Sequence, residues 1–223
     1  MLRRWNKLPK ELQREEIRPY YNALKKKKVS RFLMRCFDIV MSFFPLLLLS
    51  VFFIIIAIII KLTSKGPVFY RQVRITRYGK EFRIFKFRTM VQDADKKGSL
   101  VTTKNDSRIT KIGVFLRKTK LDELPQLINV LFGQMTFVGT RPEVKKYVDK
   151  YEPVYLATLL MPAGITSSAS IEYRDEASLI ENAKDVDDVY INQILPDKMK
   201  YNLEDIQKYN FFREIILIFK TVL

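Results

Sequence analysis

IVMSFFPLLLLSVFFIIIAIII, residues 39–60, runs 22 positions without a charge, long enough for a helix to cross a bilayer. Thirty-eight residues precede it and no small-residue cleavage site closes it, so it does not read as a cleavable signal peptide. Its flanks decide how it sits. Residues 1–35 hold 12 basic and 3 acidic side chains, residues 61–90 hold 9 and 1, and residues 91–223 balance at 19 against 19. Basic flanks favour the cytoplasmic side, so a straight crossing would force one cluster across the membrane. Pro45, with Ser42 nearby, offers a way out, because a proline inside a helix removes a backbone hydrogen bond and bends the axis. The segment is expected to enter and return on one face, with an ordinary kinked transmembrane helix as the rival. The run Lys25–Lys28 would then touch anionic headgroups rather than belong to a solvated tail.

The formal charge is +16, from 40 basic and 24 acidic residues, with one cysteine, Cys36, and no histidine. Disulfides, Cys/His metal sites and histidine-based catalysis are thereby excluded. Chemistry is left to carboxylates, lysine, arginine and hydroxyls. A nucleic-acid binder would show a basic face in its soluble part, whereas residues 91–223 are neutral overall. That weakens a non-catalytic membrane adaptor with basic flanks on lipid or nucleic acid, and no nucleic-acid partner is expected. A multi-span membrane enzyme would need further hydrophobic segments, and the sequence holds none.

Around the apolar segment the pattern predicts an α+β fold. Residues 1–30 read as a basic N-terminal extension of short helical pieces cut by Pro9 and Pro19. Residues 31–66 form the membrane helix and its flanks, and residues 67–223 a mostly helical catalytic domain. Val68–Ile75 and Glu81–Thr89 read as strands of a small β-hairpin turning at Tyr78-Gly79. From Ile109 onward helical spacing dominates, through Leu116, Leu127 and Val130. Leu203, Ile206, Phe212, Ile216 and Phe219 fall near one face of a final helix over 201–223, suited to the membrane interface or to core packing.

Three clusters could carry chemistry. RKTKLDELPQ (117–126) sets Asp122 and Glu123 behind a basic cluster at what reads as a helix start, with Pro125 in its first turn. Such a start favours anions and keeps a carboxylate ionised. An ionised aspartate can attack phosphorus or ligate magnesium; an Asp-Glu pair is also an ordinary helix-start charge. FKFRTM (85–90) places Lys86 and Arg88 on the second strand, and VGTRP (138–142) places Arg141 in a tight turn. Lysine and arginine together suit a diphosphate, although strand cations alternating with aromatics also mark a sheet's wet face.

The series KFRTM (86–90), NDSRIT (105–110), LDELPQL (121–127), VGTRPE (138–143) and PAGIT (162–166), following a proline-broken apolar helix, resembles the bacterial sugar transferase family, the monotopic phosphoglycosyl transferases. The likeness runs from about Arg31 to the C-terminus. It implies a re-entrant membrane helix with both ends cytoplasmic, interface helices, and a catalytic domain on the cytoplasmic face of the bacterial inner membrane. It implies transfer of a sugar 1-phosphate from a UDP-sugar to polyprenyl phosphate, with Mg2+ and a covalent aspartyl intermediate, giving UMP and a polyprenyl diphosphosugar. By motif, Asp122 would be the nucleophile and metal ligand and Glu123 its partner. Lys86 and Arg141 would contact phosphate, Arg88 and Arg117 would support them, and Arg174 would match a further family arginine. Two departures stand out: Thr140 where proline is common, and GITSSASI (164–171) where the family has a Gly-Leu-Thr-Gly-hydrophobic-Gln-Val segment. The second would help shape the nucleotide-sugar pocket, so the sugar is left open.

Overall fold

Three single 3-10 turns, Trp5–Lys7, Lys10–Leu12 and Glu15–Ile17, lead into helix α1 (Arg18–Lys26) and then α2 (Lys28–Leu48) and α3 (Ser50–Thr63). The structure, a computed structural model, describes residues 2–94, 106–175, 179 and 185–222; Asn105 of the NDSRIT motif lies outside them. Leu8, Leu12, Ile17, Tyr21 and Leu24 share one core with Ala157, Leu160, Ile206 and Tyr209. The first residues are therefore built onto the C-terminal part of the chain by apolar burial.

No single helix among the described residues is long and apolar enough to cross a membrane, but α2 and α3 together are, bent by 63°. The bend falls at Leu49, not at Pro45, which lies inside α2. Leu49 N still donates to Pro45 O at 2.8 Å, so the helix survives the proline by one turn. Both arms pack on the same body. Met34 of α2 meets Val138 and Leu217, while Ile56 and Ile60 of α3 meet Phe87 and Leu116. Away from those contacts Phe44, Leu47, Leu48, Val51, Ile54 and Leu62 are exposed, an apolar face that no described residue covers.

The expected hairpin is present and interrupted. Strands β1 (Phe69–Tyr70) and β2 (Val73–Thr76) pair antiparallel with β4 (Lys86–Phe87) and β3 (Lys80–Arg83) respectively. Tyr78 and Gly79 turn the chain with φ of 64° and 71°. Phe85 N leaves the ladder and donates to Asn129 Oδ1 at 2.8 Å, which separates β3 from β4.

Beyond residue 109 helices dominate, as expected, but one strand pair intervenes. Helices α4 (Lys111–Lys118) and α5 (Gln126–Leu131) bury Leu116, Leu127 and Val130. Strand β5 (Met135–Val138) then pairs in parallel with β6 (Ala163–Thr166), with α6 (Lys145–Val148) between them. Their close approach needs Gly164, where a Cβ would come within 2.1 Å of Gly139 O. After α7 (Ser168–Glu172) and α8 (Val186–Val189), the expected helix over 201–223 is two, α9 (Leu195–Gln207) and α10 (Phe211–Val222). Asn210 ends the continuity by accepting from Phe212 N through its Oδ1 at 3.0 Å. Helix α10 turns Leu217 and Glu214 inward and leaves Phe212, Ile216 and Phe219 exposed. The fold is mixed α+β.

Candidate active site

The Asp-Glu pair does not start a helix. Arg117 and Lys118 close α4, Lys120 adopts a left-handed conformation (φ 57°), and Leu121–Glu123 form a 3-10 turn before Pro125 caps α5. A lysine with positive φ is strained. It aims the turn so that the two neighbouring carboxylates meet different surroundings.

Glu123 is fully engaged. Lys86 Nζ from β4 and Arg141 Nη2 from the loop after β5 donate to the same oxygen, Oε1, at 2.7 and 3.1 Å. Burial opposes its charge, but Lys86 and Arg141 outweigh burial and hold the carboxyl well below the usual glutamate range. Asp122 is 6% exposed, and no hydrogen bond reaches its carboxylate among the described residues. Burial raises its pKa and the Glu123 charge adds to that, against opposition from Lys86, Arg117 and Lys120. Two adjacent carboxyls are thus driven in opposite directions, a pattern typical of working sites.

Asp122 lines a cavity of about 520 Å³ whose wall also holds Lys86, Arg88 and Arg117. Arg71, Arg74 and Arg108 add three more cations, and Arg71 Cζ stacks 3.5 Å from the Phe85 ring centroid. A polyanion fits such a chamber, since arginine forks and lysine point charges bind phosphate oxygens. Arg88 is 5% exposed and braces the end of α3, donating from Nη2 to Ser64 O and Oγ at 2.7 Å. Its Nε and Nη1 have no partner among the described residues. Gly66 makes room for it, because a Cβ there would lie 2.1 Å from Nη1.

Five of the expected cationic and acidic positions, Lys86, Arg88, Arg117, Asp122 and Glu123, thus converge here, and Arg141 reaches in through Glu123. Arg174 stands apart, donating to Lys220 O and Thr221 O at the end of α10. Residues 164–171 contribute nothing to the lining of the large cavity. Sequence reasoning passed over Arg71, Arg74, Arg108 and Asp93. The alternation of cations and aromatics in the hairpin is the signal for Arg71 and Arg74, and it reads equally well as a solvated sheet face; Asp93 and Arg108 lie outside the hairpin.

The family described as bacterial sugar transferase matches residues 29–223. The UDP-glucose:undecaprenyl-phosphate glucose-1-phosphate transferase of Klebsiella pneumoniae is 38% identical over 189 residues, covering 83% of this chain and 38% of that protein. The UDP-N-acetylgalactosamine-undecaprenyl-phosphate N-acetylgalactosaminephosphotransferase of Aeromonas hydrophila is 32% identical over 194 residues, covering 86% and 43%. The exopolysaccharide production protein ExoY of Rhizobium meliloti is 30% identical over 203 residues, covering 84% and 83%. The chain spans less than half the length of the first two.

Proposed function

The chain belongs to the bacterial sugar transferase family, and on that premise we propose that it moves a sugar 1-phosphate from a UDP-sugar to a polyprenyl phosphate at the cytoplasmic face of the bacterial inner membrane. The observation that carries the reading is the division between the carboxylates. Glu123 is bound by two cations, while Asp122 lines the cationic cavity with no hydrogen bond to its carboxylate among the described residues.

In this reading an Asp122 carboxylate oxygen attacks the β-phosphorus of the UDP-sugar. The bond from that phosphorus to the bridging oxygen breaks, and UMP leaves. A phosphate oxygen of the polyprenyl phosphate then attacks the same phosphorus, breaking the bond to Asp122 and giving polyprenyl diphosphosugar. Two steps let two polyanions enter in turn, which avoids their direct repulsion. Lys86 and Arg117 stabilise charge on the transferring phosphoryl group. Glu123 positions Lys86 and Arg141, and Arg88 holds the cavity wall to the end of α3. Arg174 has a role only through α10.

The donor set suits Mg2+. No group of three or more His, Cys, Asp or Glu side chains among the described residues could hold a metal alone, but magnesium ordinarily takes one or two carboxylates plus substrate phosphates. Asp122, a buried carboxylate with incompletely balanced charge, would hold it together with the diphosphate. Bound there, the ion would neutralise phosphate charge.

Re-entry of α2 and α3 is supported by the packing of both arms on one body and by length. At about 1.5 Å per residue the 14-residue α3 reaches ~21 Å, short of a bilayer core of about 30 Å. Labelled UDP-sugar without acceptor tests the chemistry. A phosphosugar adduct on an Asp122 peptide, with UMP release abolished by EDTA and restored by magnesium, is expected. An adduct on another residue, or substantial turnover by Asp122→Asn, would overturn the assignment.

A further inference from the structure

Residues 2–28 lie outside the family match, yet they build a second cationic cavity, away from the first. Arg4, Trp5, Arg18, Tyr21, Asn22 and Lys25 line a surface concavity of about 390 Å³. We propose that it binds a phosphodiester or phosphomonoester anion, namely the headgroup of an anionic phospholipid.

The site is built rather than incidental. Residues 18, 21, 22 and 25 follow i, i+3, i+4, i+7 spacing and share one face of α1. Opposite them, the strand-like backbone at Arg3 is pinned on both sides: Arg3 N donates to Tyr78 OH at 2.9 Å, and Tyr21 OH donates to Arg3 O at 3.1 Å. Arg4 and Trp5 are thereby held against α1. Trp5 packs edge-on to Tyr21, with ring centroids 5.0 Å apart, and Arg18 Cζ sits 5.4 Å from the Trp5 ring. Of the three cations, Arg18 pairs with Glu15 at 2.9 Å. The side chains of Arg4 and Lys25 have no hydrogen-bond or ion-pair partner among the described residues. Three like charges around one concavity repel, and an anion between them would relieve that repulsion.

Placement selects a lipid over a soluble phosphate. Lys25 lies in the last turn of α1, and α2 follows after Lys27. At the start of α2, Val29 is 70% and Phe32 61% exposed, with no protein covering them. If α2 enters the bilayer, as the functional reading above holds, the apolar boundary begins at Val29 and the cavity lies in the headgroup layer. An aromatic beside cations is the usual side-chain mixture at that depth.

Trp5 is the sole tryptophan in the sequence, so intrinsic fluorescence reports on this cavity alone. The full chain would be reconstituted into phosphatidylcholine vesicles and into vesicles containing phosphatidylglycerol, each with brominated acyl chains in one arm. Co-flotation with phosphatidylcholine vesicles checks membrane entry separately; its failure would remove the membrane reading itself. Given entry, Trp5 quenching should be stronger with brominated phosphatidylglycerol. Arg4→Gln/Arg18→Gln/Lys25→Gln should abolish that preference, each change weakening it about fivefold, the equivalent of ~1 kcal/mol. Lys7→Gln/Lys10→Gln/Arg14→Gln removes the same charge from exposed positions outside the cavity and should keep most of it. Equal loss in both triple variants, equal quenching by both lipids, or a Trp5 response to inorganic phosphate without lipid preference would overturn the proposal.

Discussion

Lys86 Nζ lies 2.7 Å from Glu123 Oε1, across 37 residues of chain, in a pair whose side chains are about one-fifth exposed. Arg141 reaches the same oxygen at 3.1 Å and is 44% exposed. Removing one partner of a largely buried ion pair costs roughly 3 kcal/mol, and less on the exposed Arg141 side. Glu123→Gln should therefore lower the melting temperature and cut UMP release by about two orders of magnitude, since displaced cations lose their alignment on the phosphoryl group. Arg141→Gln should be milder on both measures. Equal activity of Glu123→Gln and the parent would remove the positioning role.

The opposite shifts of the two carboxyls set a pH dependence. Asp122 has its pKa raised by burial and by the Glu123 charge, against Lys86, Arg117 and Lys120, and as the proposed nucleophile it would attack only when ionised. The rate of UMP release should fall as pH drops through an apparent pKa above the ordinary aspartate value of 3.8. Glu123→Gln removes a neighbouring negative charge and leaves Lys86 free to favour ionisation, so the acid limb of whatever activity remains should move to lower pH. A limb that moves upward in that variant would contradict the geometry.

If both arms of the apolar segment return to one face, cysteines introduced near Lys28 and Lys65, in a chain with Cys36 replaced, should both react only from the cytoplasmic side. Labelling of either position from outside alone would establish a span. The bend at Leu49 lies one turn beyond Pro45, so Pro45→Ala should weaken it rather than remove it. It should leave a mixed population in the same labelling assay.

Glu214, on the inward face of α10, is 2% exposed, and burial followed by the Asp205 charge raises its pKa to about 8. A carboxyl raised in the folded state contributes its full stability below the unfolded value of 4.5 and loses it as pH rises toward about 8. Glu214→Gln removes that loss. The variant should melt higher than the parent at pH 8.5, its stability greater by up to about 5 kcal/mol, with little difference near pH 4.5. A pH-independent difference in melting would rule out titration of Glu214.

What could be read from the sequence tracks how local its physical cause is. The hairpin was legible because Tyr78-Gly79 turns the chain within two residues and the strands alternate. The Asp122-Glu123 turn was legible as a motif but misplaced as a helix start, because nothing nearby announces the positive φ of Lys120. The β5/β6 pair was not legible, since Met135–Val138 and Ala163–Thr166 are four residues each and far apart in the chain, and their parallel register is set by the fold between them. The break at Asn210 had a local cause in its side chain, overlooked beneath a continuous apolar stripe. Arg71 and Arg74 depend on the folded hairpin to face inward, and Arg108 reaches the same cavity from the segment before α4.

Asp38 of α2 accepts from Thr136 Oγ1 and Phe137 N at 3.1 Å each, while Arg35 donates from Nη1 and Nη2 to Val130 O and Leu131 O at 2.7 Å. The first pair fastens α2 to β5, the second to the closing carbonyls of α5, the helix that begins just past Asp122. Apolar side chains can keep a protein in a bilayer at any tilt, but these four bonds fix a lever angle. If α2 enters the bilayer as proposed, bilayer thickness becomes a variable that the Asp122 turn can feel. A substitute anchor of equal hydrophobicity lacking Arg35 and Asp38 would then hold the chain on the membrane and leave the proposed nucleophile at an unset height above it.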